Sequence, residues 1–281
     1  MNKMVSGIVA ISIIFSLVSQ IKAENGQNNK SSIYMDKANV FSKKREYEEA
    51  IKWFKDEIKI YPLNDRYYEG LGRVYAGMDK YAEARKWFKK GIKINPFNVA
   101  CYEGIGRVYL YMQDNRQAMM WFKKGINIDA NNTACIEGLG RIYLDMKNYS
   151  EAIKLFKEAI KIEPGYAECY EGLGRVYLKI GNYREAMNWF NKAKQLSGSI
   201  NYVCPYDGIG LIYLKQGRIK EAEESFDKAV KFDPRLEHSR YNELAKIYIK
   251  QGKNKEAKEL LEKSIKSYPH NNEARELLNQ I

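Results

Sequence analysis

The sequence predicts an all-α fold built as a linear array of helix pairs, and three observations predict it. First, the octapeptide YEGLGRVY at Tyr68–Tyr75 returns as YEGIGRVY from Tyr102, IEGLGRIY from Ile136 and YEGLGRVY from Tyr170, each 34 residues after the one before. Looser copies, YDGIGLIY and YNELAKIY, begin at Tyr206 and Tyr241 after steps of 36 and 35. Self-similarity at a fixed period of this length marks a stacked-repeat architecture, in which each unit packs on its neighbours and no single globular core is needed. Second, apolar residues recur at helical spacing in both halves of a unit, as Tyr68, Leu71 and Tyr75 and then as Ala84, Phe88 and Ile92. Third, Pro62, Pro96, Pro164, Pro234 and Pro269 close five of the second halves, because proline lacks the donor that a continuing helix needs.

Taken in order, residues 1–23 have the form of a secretory signal peptide: Lys3, an uncharged stretch over residues 4–21, and Ala23 where a small residue suits cleavage. The stretch of 18 residues also reaches the lower edge of a bilayer-spanning length, so an uncleaved membrane anchor is the alternative. Residues 24–32 read as a polar spacer. Residues 31–64 form a degenerate first repeat, with Tyr34 and Ala38 in place but Lys37 where leucine belongs, as suits a terminal unit that meets solvent on one side. Residues 65–98, 99–132, 133–166 and 167–200 are four closely matched repeats, and residues 203–236 and 238–271 are two looser ones. Between them SGSIN follows Leu196 with no closing proline, and two extra residues precede Pro205, which marks a bend or joint. Residues 272–281 form a capping helix, with Ala274, Leu277, Leu278 and Ile281 at i, i+3, i+4 and i+7.

Glycine inside a helix costs about 1 kcal/mol against alanine. Gly72, Gly106, Gly140, Gly174 and Gly210 therefore point to close approach of a partner helix. The additional Gly70, Gly104, Gly138, Gly172 and Gly208 are expected to leave their helix face bare of side chains.

The pattern extends beyond the octapeptide. Tyr68, Leu71, Gly72 and Tyr75 are followed by Ala84, Phe88, Gly91 and Pro96, and the same places are held by Ile136, Leu139, Gly140, Tyr143, Ala152, Phe156, Ala159 and Pro164. This resembles the tetratricopeptide repeat, and seven successive units fit it. The resemblance implies a right-handed superhelical solenoid of about seven helix-turn-helix repeats with a C-terminal capping helix. It also implies that first helices line a concave groove that binds a peptide or partner helix, while second helices form the convex outside. Members that hold a peptide's terminal carboxylate use an asparagine on these first helices; here Gly70, Gly104 and Gly138 stand there, so the resemblance does not extend to that subtype.

Few residues suggest chemistry. Gly70-x-Gly72 lacks a third glycine and a preceding strand, so it is no nucleotide loop. His238 and His270 lie in different repeats without metal-ligand spacing, and no Ser-His-Asp or Cys-His arrangement appears. The expectation is a protein that is no enzyme, with no catalytic residue, no cofactor and no metal. Cys101, Cys135 and Cys169 occupy one equivalent place in successive repeats, with Cys204 one step off it. Equivalent positions on stacked helices lie roughly 8–10 Å apart, too far to bridge, so these read as buried, unpaired packing residues. Three N-x-S/T sequons, at Asn29, Asn131 and Asn148, are what an asparagine-rich chain yields by chance.

The informative feature is a ladder. Glu69, Glu103, Glu137, Glu171 and Asp207 each stand four residues before Arg73, Arg107, Arg141, Arg175 and, in the last case, Leu211. The resemblance places all of them in the groove, as candidate partner-binding residues. A Glu–Arg pair at i, i+4 on an exposed helix is worth only about 0.2–0.5 kcal/mol, so the ladder reads either as a self-neutralising lining or as a partner contact. The formal charge is +12, and the surplus lysines fall on second helices: Lys86, Lys89, Lys90 and Lys93, then Lys123 and Lys124, then Lys154, Lys157 and Lys161. Trp53, Trp87, Trp121 and Trp189, just before the core aromatic, read as partial packing residues. The reading is a non-catalytic protein–protein interaction scaffold, exported to the periplasm or secreted, in the bacterial cell envelope. Residues 4–21 give it an alternative membrane attachment. The runner-up is a polyanion- or membrane-surface-binding protein that uses the basic convex face, with nucleic acid the less favoured partner.

Overall fold

The computed structural model describes residues 44–196, 205–232 and 237–281, and all regular elements among them are α-helices. The signal segment, the spacer, the first helix of the first repeat, Cys204, Pro234 and the expected joint after Leu196 lie outside the described residues. The chain divides into two compact units, residues 1–128 and 129–281. In the first, α1 (Lys44–Ile60) is followed by the pairs α2 (Asp65–Gly77) with α3 (Tyr81–Ile94) and α4 (Val99–Tyr111) with α5 (Asn115–Ile128). In the second, α6 (Thr133–Asp145) pairs with α7 (Tyr149–Ile162) and α8 (Ala167–Ile180) with α9 (Tyr183–Leu196). The pairs α10 (Pro205–Lys215) with α11 (Ile219–Phe232) and α12 (Glu237–Lys250) with α13 (Asn254–Ser267) follow, and then the single helix α14 (Asn272–Leu278), which stops three residues short of the expected 272–281. Within each unit a second helix packs on its own first helix and on the next first helix, so the pairs stack side by side.

The turns that make the hairpins are local and repetitive. The reversal from first to second helix needs one residue in the left-handed region, supplied by Asp79, Gln113 and Lys147 at φ 58–60° and then by Gly181, Gly217 and Gly252 at φ 72–88°. The return to the next first helix is capped by asparagine: the Oδ1 of Asn98 accepts from the amide of Cys101 at 3.2 Å, and that of Asn132 from Cys135 at 3.0 Å. The same Asn98 donates to Asp65 Oδ2 at 2.7 Å, which ties one pair to the pair before it. Tyr68, Tyr102 and Tyr170 donate their hydroxyls to the carbonyls of Pro62, Pro96 and Pro164 at 2.9–3.0 Å, pinning the proline turns.

The core is a series of phenylalanine rings seated between glycines. Phe88 is 1% exposed, and a Cβ on Gly72 would stand 2.6 Å from its Cδ1 while one on Gly104 would stand 2.4 Å from its Cζ. Phe156 lies in the same way between Gly140 and Gly172, and Phe190 between Gly174 and Gly208. At Gly70, Gly104, Gly172 and Gly208 the first glycine of the Gly-x-Gly thus seats the ring of the preceding second helix, and the second glycine seats the ring of its own pair. The expected bare face at Gly70, Gly104, Gly172 and Gly208 is corrected: that space is filled by Phe54, Phe88, Phe156 and Phe190. In the last pair both partners change together, to Ala245 and Leu261, each fully buried. Beyond it Ala274 is fully buried in the same cluster, with Leu277 and Leu278 packed beside it. A buried polar network holds this end: Ser264 donates to Asn242 Oδ1 at 2.7 Å, and Asn271 donates to Ser264 Oγ at 2.7 Å while capping α14.

Candidate functional site

The ladder residues occur on equivalent faces of first helices, and burial divides them by type. Glu69, Glu103, Glu137 and Glu171 are all buried, Glu137 completely. The arginine side chains keep 26–42% of their surface exposed. In the first unit Arg73 donates through Nε to Glu69 Oε1 at 3.0 Å and through Nη2 to Glu103 Oε2 of the next pair at 3.2 Å, and Arg107 also pairs with Glu103. In the second unit Arg141 pairs with Glu137 and reaches Glu171 Oε2 at 3.3 Å, while Arg175 pairs with Glu171 and lies 3.8 Å from Asp207 Oδ2. The guanidiniums of Arg73, Arg141 and Arg175 therefore each bridge their own carboxylate and one from the next pair. The expectation of a few tenths of a kcal/mol per pair is corrected, because these carboxylates are withdrawn from water and removing a partner strands a buried charge.

Electrostatics follow the geometry. Burial pushes the Glu103 carboxyl up, but Arg107 and Arg73 together outweigh it and hold it below the usual carboxylate range; Glu171 is held low likewise by Arg175 and Arg141. Burial opposes the charge on Arg73, but Glu103 and Glu69 outweigh it, and Glu171 with Asp207 does the same for Arg175, so both guanidiniums are driven further toward the charged form. Asp207 goes the other way: burial raises it, and Arg175 does not offset the cost, since Leu211 stands where an i+4 arginine would. The ladder thus presents permanently charged guanidinium edges held in place by buried carboxylates. Such edges suit forked hydrogen bonds to carboxylates and carbonyls.

The second helices carry exposed Lys86, Lys89, Lys90, Lys93, Lys123, Lys124, Lys154, Lys157 and Lys161. Three of the tryptophans each lie between a tilted tyrosine ring and a lysine ammonium. Trp87 lies 6.2 Å from the Tyr68 ring with the Lys90 ammonium 4.1 Å from its centroid. Tyr102–Trp121–Lys124 and Tyr170–Trp189–Lys192 repeat the arrangement. Residue types alone did not reveal these groupings; the signal was the lysine three residues after each of those tryptophans. Cys101, Cys135 and Cys169 are buried and form no disulfide with one another, and burial pushes the Cys101 and Cys169 thiols far up, so those two are poor nucleophiles. Among the described residues no group of three or more His, Cys, Asp or Glu side chains is placed to hold a metal, and no helix is long and apolar enough to cross a membrane.

Models of the tetratricopeptide repeat match residues 65–98, 132–199 and 213–281, and a further one matches residues 21–62 and 99–132. The chain belongs to the tetratricopeptide repeat family. Proteins of this family are generally non-catalytic scaffolds that bind other proteins or peptides. Among solved structures, the chain is similar to a tetratricopeptide repeat protein from Parabacteroides merdae, at 18% identity and TM-score 0.65 over 89% of this chain and 98% of that one. It is similar to a chain of the APC/C hetero-tetramer Cut9-Hcn1 at 16% identity and TM-score 0.71, over 83% of this chain and 46% of that one. It therefore spans less than half of that relative. Pseudomonas aeruginosa pilF is similar at 17% identity and TM-score 0.54, over 84% and 99% of the two chains. At these identities the likeness is one of fold. No curated protein matches the chain.

Proposed function

We propose that this tetratricopeptide repeat protein binds a peptide or partner helix along the first-helix face, in the bacterial cell envelope, after export directed by residues 1–23. One observation carries the reading: a partly exposed guanidinium recurs on successive first helices at Arg73, Arg107, Arg141 and Arg175, each oriented by buried carboxylates. In this role the arginines contact the partner, and Glu69, Glu103, Glu137, Glu171 and Asp207 position them. The test is a crosslinked pull-down from the native source, repeated with two triple variants at matched helicity and salt. Changing Arg107, Arg141 and Arg175 to lysine keeps the charge but removes the fork, and partner capture should fall by more than about tenfold. Reversing the exposed Lys89, Lys123 and Lys157 to glutamate should leave capture within a factor of about two. The opposite ranking would favour a polyanion held on the lysine face. Mass spectrometry of the natively produced N-terminus tests export: the chain should begin at Glu24, and an intact Met1 on soluble cytoplasmic protein contradicts it.

A further inference from the structure

One position on each second helix, just before the buried Phe or Leu, reads Trp53, Trp87, Trp121, Leu155, Trp189, Ser225 and Leu260 along the chain. In the first unit its role is visible at Trp121, whose indole is tilted against Tyr102 and also packs against the cluster of Ala84 and Phe88 from the preceding pair with Ile105 and Val108 from its own. The equivalent cluster in the second unit is Ala186, Phe190, Ile209 and Ile212, bordered by Tyr183, Met187, Tyr206 and Tyr213. There the position that supplies an indole elsewhere is Ser225, itself buried and donating to the Glu221 carbonyl at 2.8 Å. A recess of about 490 Å³ opens at that place, walled by the same Met187, Ile209 and three tyrosines. This is the size of a ligand pocket.

The rim carries Arg184, Lys194, Arg218 and Lys228 against Glu221 and Glu224. Arg218 is committed to Glu221 at 2.8 Å and to the Tyr213 ring at 4.5 Å. That pair aside, three cations face one carboxylate. Lys228 holds the register of Lys90, Lys124 and Lys192, and its ammonium stands 5.8 Å from the Tyr206 centroid. Both outer members of the Tyr–Trp–Lys arrangement are thus present without the indole between them.

We propose that this recess is a docking slot for a tryptophan side chain presented by an acidic segment of a partner protein. The indole occupies the place that Trp87, Trp121 and Trp189 fill from within the chain, lying on Tyr206 beneath Lys228, and flanking carboxylates meet Arg184 and Lys194. Stacking and cation–π contacts supply the aromatic selectivity, and buried tryptophan is a common interface anchor. The slot shares no residue with the arginine ladder, so it stands independently of the groove reading.

Titration calorimetry on the full chain tests it with three probes: acetyl-DEWDE-amide, acetyl-DEADE-amide and N-acetyltryptophanamide. The first should bind at least about tenfold more tightly than either of the others. Ser225→Trp should abolish that binding and raise the thermal midpoint, because the chain then fills its own slot. Ser225→Leu, the residue type already tolerated at Leu155 and Leu260, should also weaken binding and guards against misfolding of the tryptophan variant. Lys228→Glu should weaken it too, whereas Lys89→Gln, outside the recess lining, should not. Equal binding of the alanine peptide would reduce the site to charge alone, and equal binding of N-acetyltryptophanamide would make it a site for free aromatic molecules. Either result, or binding undiminished by Ser225→Leu, overturns the proposal.

Discussion

At the scale of single residues, the hairpin turns carry an avoidable cost. Asp79, Gln113 and Lys147 hold the left-handed conformation that the later turns give to Gly181, Gly217 and Gly252. A side chain there costs about 1–2 kcal/mol, part of which glycine returns through its freer unfolded chain. Lys147→Gly should therefore raise unfolding stability by about 0.5–1 kcal/mol in urea titration, and Gly181→Ala should lower it by about 1 kcal/mol. The ring seats make a sharper test. A Cβ at Gly140 would stand 2.7 Å from Phe156 Cε1, so Gly140→Ala should destabilise by about 1–3 kcal/mol. Combining it with Phe156→Leu reproduces the Ala245–Leu261 pairing, and the double-mutant cycle should show a favourable coupling of at least about 0.5 kcal/mol. An additive double mutant would mean that the two positions do not share one space.

At the scale of elements, the carboxylates give first helices opposite responses to acid. The folded values of Glu103 and Glu171 are depressed, so the stability they contribute is fully present above the ordinary carboxylate range and is lost as pH falls through those lower values. Glu103→Gln should flatten the acid limb of a stability-against-pH curve. Asp207 has a raised value, so its penalty is absent in acid and develops as pH rises through that value. Asp207→Asn should accordingly stabilise the protein near neutral pH, and Leu211→Arg should do the same by supplying the missing i+4 partner. Arg141→Ala should cost about 2 kcal/mol, less than a wholly buried pair because its side chain is 37% exposed and Glu171 keeps Arg175. The helix pairs were legible from the period and the proline stops. The ladder was legible as a list of residues, because i, i+4 spacing is local. Its burial was not, since i, i+4 spacing does not report what lies over the helix face. The Gly70 series misled for the same reason: what occupies the space beside a glycine lies about sixteen residues away, at Phe54, and the chain carries no local mark of it.

At the scale of the whole molecule, a repeat array transmits stability between neighbours rather than through one core. Removing residues 271–281 would uncover Ala245, Ala257 and Leu261 and leave Asn242 and Ser264 without Asn271. Amide exchange should then quicken in α12 and α13 and stay unchanged in residues 65–128; faster exchange in both regions would show a single cooperative unit instead. The shared ring seat also bears on how such a chain can lengthen. A unit of 34 residues arrives with glycines that receive the ring before it and a ring that the next glycine receives. A tandem copy of residues 65–98 set directly after Asn98 therefore meets matching parts at both junctions and should fold with proportionally more helix. The same copy set after Asn271 would face Leu261, whose smaller side chain cannot fill the glycine seat, and a void would remain at the graft. Duplication is thus favoured within the run of Gly-x-Gly units and disfavoured after the pair in which Ala245 and Leu261 replace Gly and Phe, since each added unit there carries the cost of an unfilled seat.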